Sequence, residues 1–221
     1  MNDTVVIVTG AAPLDPLAVA AIPGDAIVIA ADGGLDHARA AGLTPAGLIG
    51  DLDSVSEIGL AWAEQHATIQ RHPVDKDATD TELAVALAAG MDPATVVLIA
   101  GGGDRLDHTL AAIGALGAPV LTSVPRVECW WGDQYLQVVH GPARVVIQTQ
   151  AGARISLLAM HGPCAGITLS GARWPLERAD LASMVGYGLS NIATGTAIEL
   201  TLSTGILTVF VDPPPTVRSE P

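Results

Sequence analysis

The stretch Thr95-Val96-Val97-Leu98-Ile99-Ala100-Gly101-Gly102-Gly103-Asp104-Arg105-Leu106-Asp107-His108 carries three different patterns in fourteen residues. Five consecutive apolar residues, three of them β-branched, read as a strand buried on both faces, the environment of a parallel sheet. The glycines then permit a tight turn. From Leu106 to about Leu116 the chain reads as a helix. A strand, a glycine turn and a helix in succession are the repeating unit of a helix-covered parallel sheet.

Working outward, the same alternation fills the first half. Thr4 to Thr9 and Ala26 to Ala31 are further buried strands. Leu14 to Ile22 is a short alanine-rich helix after Pro13, and Leu35 to Ala41 is a helix that stops at Gly42. Ala46 to Ile49 is a short strand, and Ser54 can cap a helix running toward Gln65. Thr79 or Asp80 can cap the helix Thr81 to Ala89, which Gly90 ends.

After Pro125 the pattern changes to short alternating runs between glycine, proline and polar turns. They are Gln134 to Val139, Ala143 to Thr149, Arg154 to Met160 and Gly166 to Leu169. Ala197 to Leu202, Ser203-Thr204-Gly205 and Ile206 to Val211 together read as a β-hairpin. The expected fold class is α/β: an N-terminal parallel-sheet domain over residues 1–125, then a C-terminal β-sandwich over 126–212. Residues 213–221, rich in proline, are expected to be a disordered tail.

Composition narrows the function. Of 221 residues, 23 are acidic and 10 basic, a formal net charge of −13, which argues against nucleic acid or an anionic membrane as the main partner. No apolar run reaches the ~18 residues of a membrane span, and the N-terminus lacks a basic leader, so the expected location is cytoplasmic. Cys129 and Cys164 match no metal spacing and read as packed thiols.

Three short turns concentrate the chemistry: Gly50-Asp51-Leu52-Asp53-Ser54, Asp75-Lys76-Asp77-Ala78-Thr79-Asp80, and Gly101 to His108. Crowded carboxylates repel unless a proton or a divalent cation intervenes. Oxygen ligands beside glycine-rich backbone suit Mg²⁺ and a phosphate ligand. In extended backbone Asp51 and Asp53 would face one side while Leu52 faces the core. Each feature also has a structural reading. Asp77 and Asp80 sit at a helix start, where acids favour the helix dipole. Lys76 among aspartates makes a salt bridge or a phosphate contact, Arg105 suits phosphate oxygens, and Asp107 and His108 could orient it or touch substrate. A fourth turn, Asp32-Gly33-Gly34, follows the strand ending at Ala31 and would let backbone approach a ligand.

Taken in order, these motifs resemble the thiamine pyrophosphokinase (thiamine diphosphokinase) family. The succession is Ala31-Asp32-Gly33-Gly34, Gly50 to Ser54, Asp75 to Asp80 and Gly101 to His108. In the second half Gly171-Ala172-Arg173-Trp174-Pro175-Leu176 and Leu189-Ser190-Asn191 are similar to the family's later elements. The resemblance implies transfer of pyrophosphate from ATP to thiamine, giving thiamine diphosphate and AMP. It implies Mg²⁺ on Asp51, Asp53 and Asp80, with Asp32 close to the metal or the reacting hydroxyl. Lys76, Arg105 and Asp107 would position the triphosphate, with Gly33, Gly34 and His108 also on the nucleotide side. Trp174, Ser190 and Asn191 would contribute to the thiamine pocket, and the protein would be a homodimer. Two alternatives stand beside this reading: a pyrophosphokinase for another alcohol, such as a pterin or a thiamine analogue, and a non-catalytic thiamine or nucleotide sensor.

Overall fold

The computed structural model describes residues 3–10, 12–102 and 105–215. The chain divides into two compact units, Met1–Asp133 and Gln134–Pro221. In the first unit strands and helices alternate: β1 (Thr4–Thr9), α1 (Pro16–Ala20), β2 (Ile27–Ala31), α2 (Gly34–Ala40), β3 (Gly47–Gly50), α3 (Glu57–His66), β4 (Thr68–Arg71), α4 (Asp80–Ala89), β5 (Thr95–Ala100), α5 (Leu106–Ala115) and β6 (Arg126–Trp131). The six strands pair in parallel in the order β4-β3-β2-β1-β5-β6. Val5 to Val8 and Val96 to Ala100 are buried along their length, as continuous apolar strands covered on both faces must be.

Chain order runs outward from β1 in one direction and resumes at β5 on its other side. The strand order therefore switches between β1 and β5. A crevice forms at such a point because the loops after the two strands leave toward opposite faces.

Helix ends follow local chemistry. Thr79 Oγ1 accepts the Glu82 N–H at 3.2 Å, and the Glu82 carboxylate accepts the Thr79 N–H at 2.7 Å, a complete capping box. Gly42 takes φ +80° just past α2. The cap of α3 is Ser56, whose hydroxyl accepts the Gly59 N–H at 2.9 Å, and not the expected Ser54. Two strands depart from expectation. β4 is an outer strand with mostly exposed side chains, so it has no apolar signature. β6 pairs in parallel with β5, so residues 126–131 complete the first sheet and do not begin the second unit.

The second unit contains β7 (Gln134–His140), β8 (Ala143–Gln148), β9 (Arg154–Leu158), β10 (Cys164–Ser170), β11 (Leu176–Leu181), β12 (Asn191–Ile192), β13 (Ala197–Leu202) and β14 (Ile206–Asp212). They form two antiparallel arrays, β7-β14-β9-β12 and β8-β13-β10-β11. On β13 Ile198, Leu200 and Leu202 are buried while Glu199 and Thr201 are exposed, the period-two pattern of a sheet with one covered face.

The expected hairpin of β13 and β14 does not form. β13 pairs with β8 and β10, whereas β14 pairs with β7 and β9. The turn between them bridges Thr204 to Ala165 and carries Gly205 at φ +98°. A Cβ on Gly205 would lie 2.6 Å from Pro163 O. Glycine is needed there as expected, but for a corner between sheets. Of the tail expected at 213–221, residues 216–221 lie outside the described residues.

Candidate active site

A cavity of about 710 Å³ opens at the carboxyl ends of the first sheet. Thr9 and Gly10 after β1, Asp32 and Gly33 after β2, Gly102 after β5 and Trp131 at the end of β6 all reach it. Asp36, Lys76, Asp80, Arg105 and His108 are among its polar lining.

Three carboxylates meet beside it, two of them, Asp32 and Asp80, on its wall. Asp32, Asp51 and Asp80 each place an oxygen within 4.8 Å of the other two. They come from three different turns. Asp32 sits at φ +46°, donates its N–H to Ile49 O at 2.9 Å and accepts the Ser54 N–H at 3.4 Å. Asp51 follows β3 directly, and Asp80 is the first residue of α4, whose N-terminus favours an anion. Gly50 lets them converge: at φ +144°, a Cβ there would sit 3.0 Å from Asp80 Cγ and Oδ1 and 3.2 Å from Asp32 Cβ.

The Lys76 ammonium joins two of these acids, 3.0 Å from Asp51 Oδ2 and 3.1 Å from Asp80 Oδ1. The hydrogen bond from Lys76 holds the Asp51 carboxyl below the usual carboxylate range. Burial works against the Lys76 charge, but its hydrogen bond to Asp51 and the adjacent Asp80 carboxylate outweigh it and raise the lysine above its ordinary value. Burial pushes the Asp32 carboxyl up, against hydrogen bonds from Gly33 and Ser54 that favour its charge. Asp80 Oδ1 is buried and lies 3.1 Å from the Lys76 ammonium, an ionic contact without a hydrogen bond. A buried carboxylate oxygen with that lone pair unused, in a triad of hard oxygen donors, fits a Mg²⁺ ligand set.

Asp53 does not enter this group among the described residues. Leu52 takes φ +68° and is buried, so the backbone is not extended and Asp51 and Asp53 do not share a side. Asp53 is exposed; its N–H donates to Asp51 Oδ1 at 3.3 Å, and its carboxylate accepts the Ser54 hydroxyl at 2.9 Å. Asp32 is the third carboxylate beside Asp51 and Asp80.

Arg105 forks onto Asp107, with Nε 3.3 Å from Oδ1 and Nη2 2.7 Å from Oδ2. The guanidinium holds the Asp107 carboxyl below its ordinary value. Both side chains are exposed, so the pair orients Arg105 more than it stabilises the fold. Gly103 and Asp104 of this turn lie outside the described residues. Gly33 lines the cavity, whereas Gly34 serves packing: a Cβ there would lie 2.2 Å from Val8 O.

The sequence reading missed several contributors. Thr9 and Thr81 join hydroxyls at 2.8 Å, tying the end of β1 to the first turn of α4. Asp36 accepts the Ser56 N–H at 2.7 Å and its hydroxyl at 2.8 Å, lashing the loop after Asp53 to α2. His37 and Trp131 line the cavity. Thr9 had a signal as the first polar residue after an apolar strand; Asp36 looked like an ordinary first-turn acid.

In the second unit Asn191 and Trp174 come together. Asn191 Oδ1 accepts the Trp174 N–H at 3.1 Å and the Ile192 N–H at 2.8 Å, while Nδ2 donates to Trp174 O at 2.6 Å. This buried amide pins the segment that presents Trp174, a residue 53% exposed with the Arg173 guanidinium 4.9 Å from its ring centre. Ser190, at φ +62°, donates its N–H to Ser156 Oγ at 3.0 Å.

Residues 21–125 match the family model for the thiamin pyrophosphokinase catalytic domain, and residues 144–207 match that for the thiamin pyrophosphokinase vitamin B1 binding domain. Among solved structures, thiamine pyrophosphokinase from Bacillus subtilis aligns with TM-score 0.81 at 22% identity, covering 94% of this chain and 98% of its own. The Geobacillus thermodenitrificans protein aligns at 0.75 and 23%, covering 94% and 96%. The Candida albicans protein aligns at 0.73 and 14%, covering 95% and 88%. No curated protein matches the sequence. With both domain models matched in order across most of its length, the chain belongs to the thiamin pyrophosphokinase family.

Proposed function

We propose that the cavity of the first unit binds ATP and that the protein transfers its terminal pyrophosphoryl group to thiamine. Thiamine diphosphokinase activity accords with both matched domains. In the reaction the thiamine hydroxyl oxygen attacks the β-phosphorus, the bond from that phosphorus to the oxygen of AMP breaks, and the hydroxyl proton is released. The observation that carries this reading is the meeting of Asp32, Asp51 and Asp80 from three separate turns beside a cavity that Asp32, Asp80, Lys76 and Arg105 line.

Asp32, Asp51 and Asp80 would hold Mg²⁺, which supplies charge neutralisation at phosphate oxygens when bound. Lys76 and Arg105 contribute positive charge where negative charge develops on the transferred group. Asp107 aims the Arg105 fork, and the Gly33 backbone admits the nucleotide beside His108. In the second unit, read as a sandwich of its two antiparallel arrays, Trp174 offers an exposed aromatic face that suits the cationic thiazolium ring. Asn191 and Ser190 hold the surrounding backbone. The protein acts as a cytoplasmic homodimer in this proposal. No helix of the described residues is long and apolar enough to cross a membrane.

The test is product identification by mass after incubation with ATP, Mg²⁺ and a panel containing thiamine, thiamine analogues and pterin alcohols. Thiamine diphosphate and AMP are the expected products, and both vanish with Asp51→Asn. Turnover of a pterin but not thiamine, or binding without AMP release, overturns the assignment.

A further inference from the structure

Lys76 stands at a position with two possible targets. Its ammonium bridges Asp51 Oδ2 at 3.0 Å and Asp80 Oδ1 at 3.1 Å, joining acids from two different turns. The same side chain also lines the cavity. The ammonium is a monovalent cation at the edge of a triad suited to a divalent one. It pairs with two of the three carboxylates and leaves Asp80 Oδ1 without a hydrogen bond. Lys76 belongs to the turn just before α4, four residues ahead of Asp80, and its four-carbon stem can re-aim without moving that helix.

We propose that Lys76 is a placeholder cation: it holds Asp51 and Asp80 together in the metal-free protein and yields to the incoming divalent ion. Released from the acids, it turns to the phosphates that arrive with the ion. This rests on reading the triad as the metal site, and adds that metal and nucleotide binding are coupled through one side chain. A divalent ion arriving alone must break two ion pairs, so it binds weakly. An ion arriving with a polyphosphate binds more tightly, because the displaced ammonium gains a new anionic partner. Such coupling is reciprocal by thermodynamic necessity. The signature of this exchange lies in binding, independent of turnover.

The experiment titrates Mn²⁺ into the full chain, with and without a non-hydrolysable ATP analogue, by electron paramagnetic resonance. Wild-type protein should bind Mn²⁺ about tenfold more tightly with the analogue than without, about 1.4 kcal/mol at 25 °C. In Lys76→Met, Mn²⁺ alone should bind about tenfold more tightly than in wild type, and the gain from the analogue should be clearly smaller than in wild type. Lys76→Gln keeps a polar side chain and should behave in the same direction, providing the measurement if the methionine variant does not fold. Lys76→Arg retains the charge and should keep Mn²⁺ binding weak in the absence of nucleotide. Thermal unfolding in chelator gives a second readout: Lys76→Met should melt lower than wild type, and Mn²⁺ should raise its midpoint by more. Equal or weaker Mn²⁺ binding in both neutral variants overturns the placeholder role and leaves the metal site standing. If wild type and variants alike bind no Mn²⁺, with or without nucleotide, the metal reading falls and the placeholder falls with it.

Discussion

Gly50→Ala tests the convergence of the acidic triad at the point where backbone and side chains meet. Gly50 sits at φ +144°, a conformation that costs an L-residue about 1–3 kcal/mol. The added methyl would also sit 3.0 Å from Asp80 Cγ and Oδ1 and 3.2 Å from Asp32 Cβ, where ordinary contact begins at 3.4 Å. Two of the three acids must therefore move by a few tenths of an ångström. Metal–ligand distances tolerate only about 0.2 Å, so that shift is enough to spoil the site. The expected result is a stability loss of about 1–3 kcal/mol, which a domain of ordinary stability survives folded. Mn²⁺ affinity should fall about tenfold or more, about 1.4 kcal/mol.

Urea denaturation in chelator measures the first effect and Mn²⁺ titration the second. Gly42→Ala is the control, because Gly42 also has positive φ (+80°) but a Cβ there meets nothing within 4 Å. It should lose stability without losing Mn²⁺ affinity. A Gly50→Ala protein within about 0.5 kcal/mol of wild type and with unchanged Mn²⁺ binding would refute the account of why glycine precedes Asp51.

Thr79→Ala removes the capping box of α4 and should cost about 0.5–2 kcal/mol in urea denaturation, with Asp80 less well held. Asp51→Asn should weaken Mn²⁺ binding far more than Asp53→Asn, since only Asp51 joins the triad; equal losses would restore Asp53 to the ligand set. Asp107 should titrate below the ordinary carboxylate range by NMR and return toward it in Arg105→Gln. A depressed folded value means that the pair's contribution to stability is present at neutral pH and fades as pH falls through that value. Because both partners are exposed, the acid limb of the stability curve should change little between wild type and Arg105→Gln.

The fold of the first unit was largely legible from local patterns. Thr95–Ala100 and Thr4–Thr9 form the strands that their apolar runs require, Thr79 caps α4, and Gly42 ends α2. Apolar continuity, caps and positive-φ glycines act within a few residues, so a sequence displays them directly. β4 escaped because its outer position removes the need for apolar side chains. The pairing of β6 with β5 was not legible either, because β5 lies about thirty residues earlier in the chain.

The candidate site divides along the same line. Which turns bear the acids, lysine and arginine is written in the primary structure, and so is the family to which they belong. Which carboxylates meet is not. Leu52 at positive φ breaks an alternation that would have paired Asp51 with Asp53, and Asp32 arrives from a strand nineteen residues upstream. In the second unit, the turn at Gly205 was readable, but the allocation of β13 and β14 to different sheets was not. Turn and helix signals record short-range sterics and hydrogen bonding, which depend on neighbouring residues alone. Strand partners, the direction of Lys76 and the membership of the triad are set when distant segments pack, and only the folded chain brings those segments together.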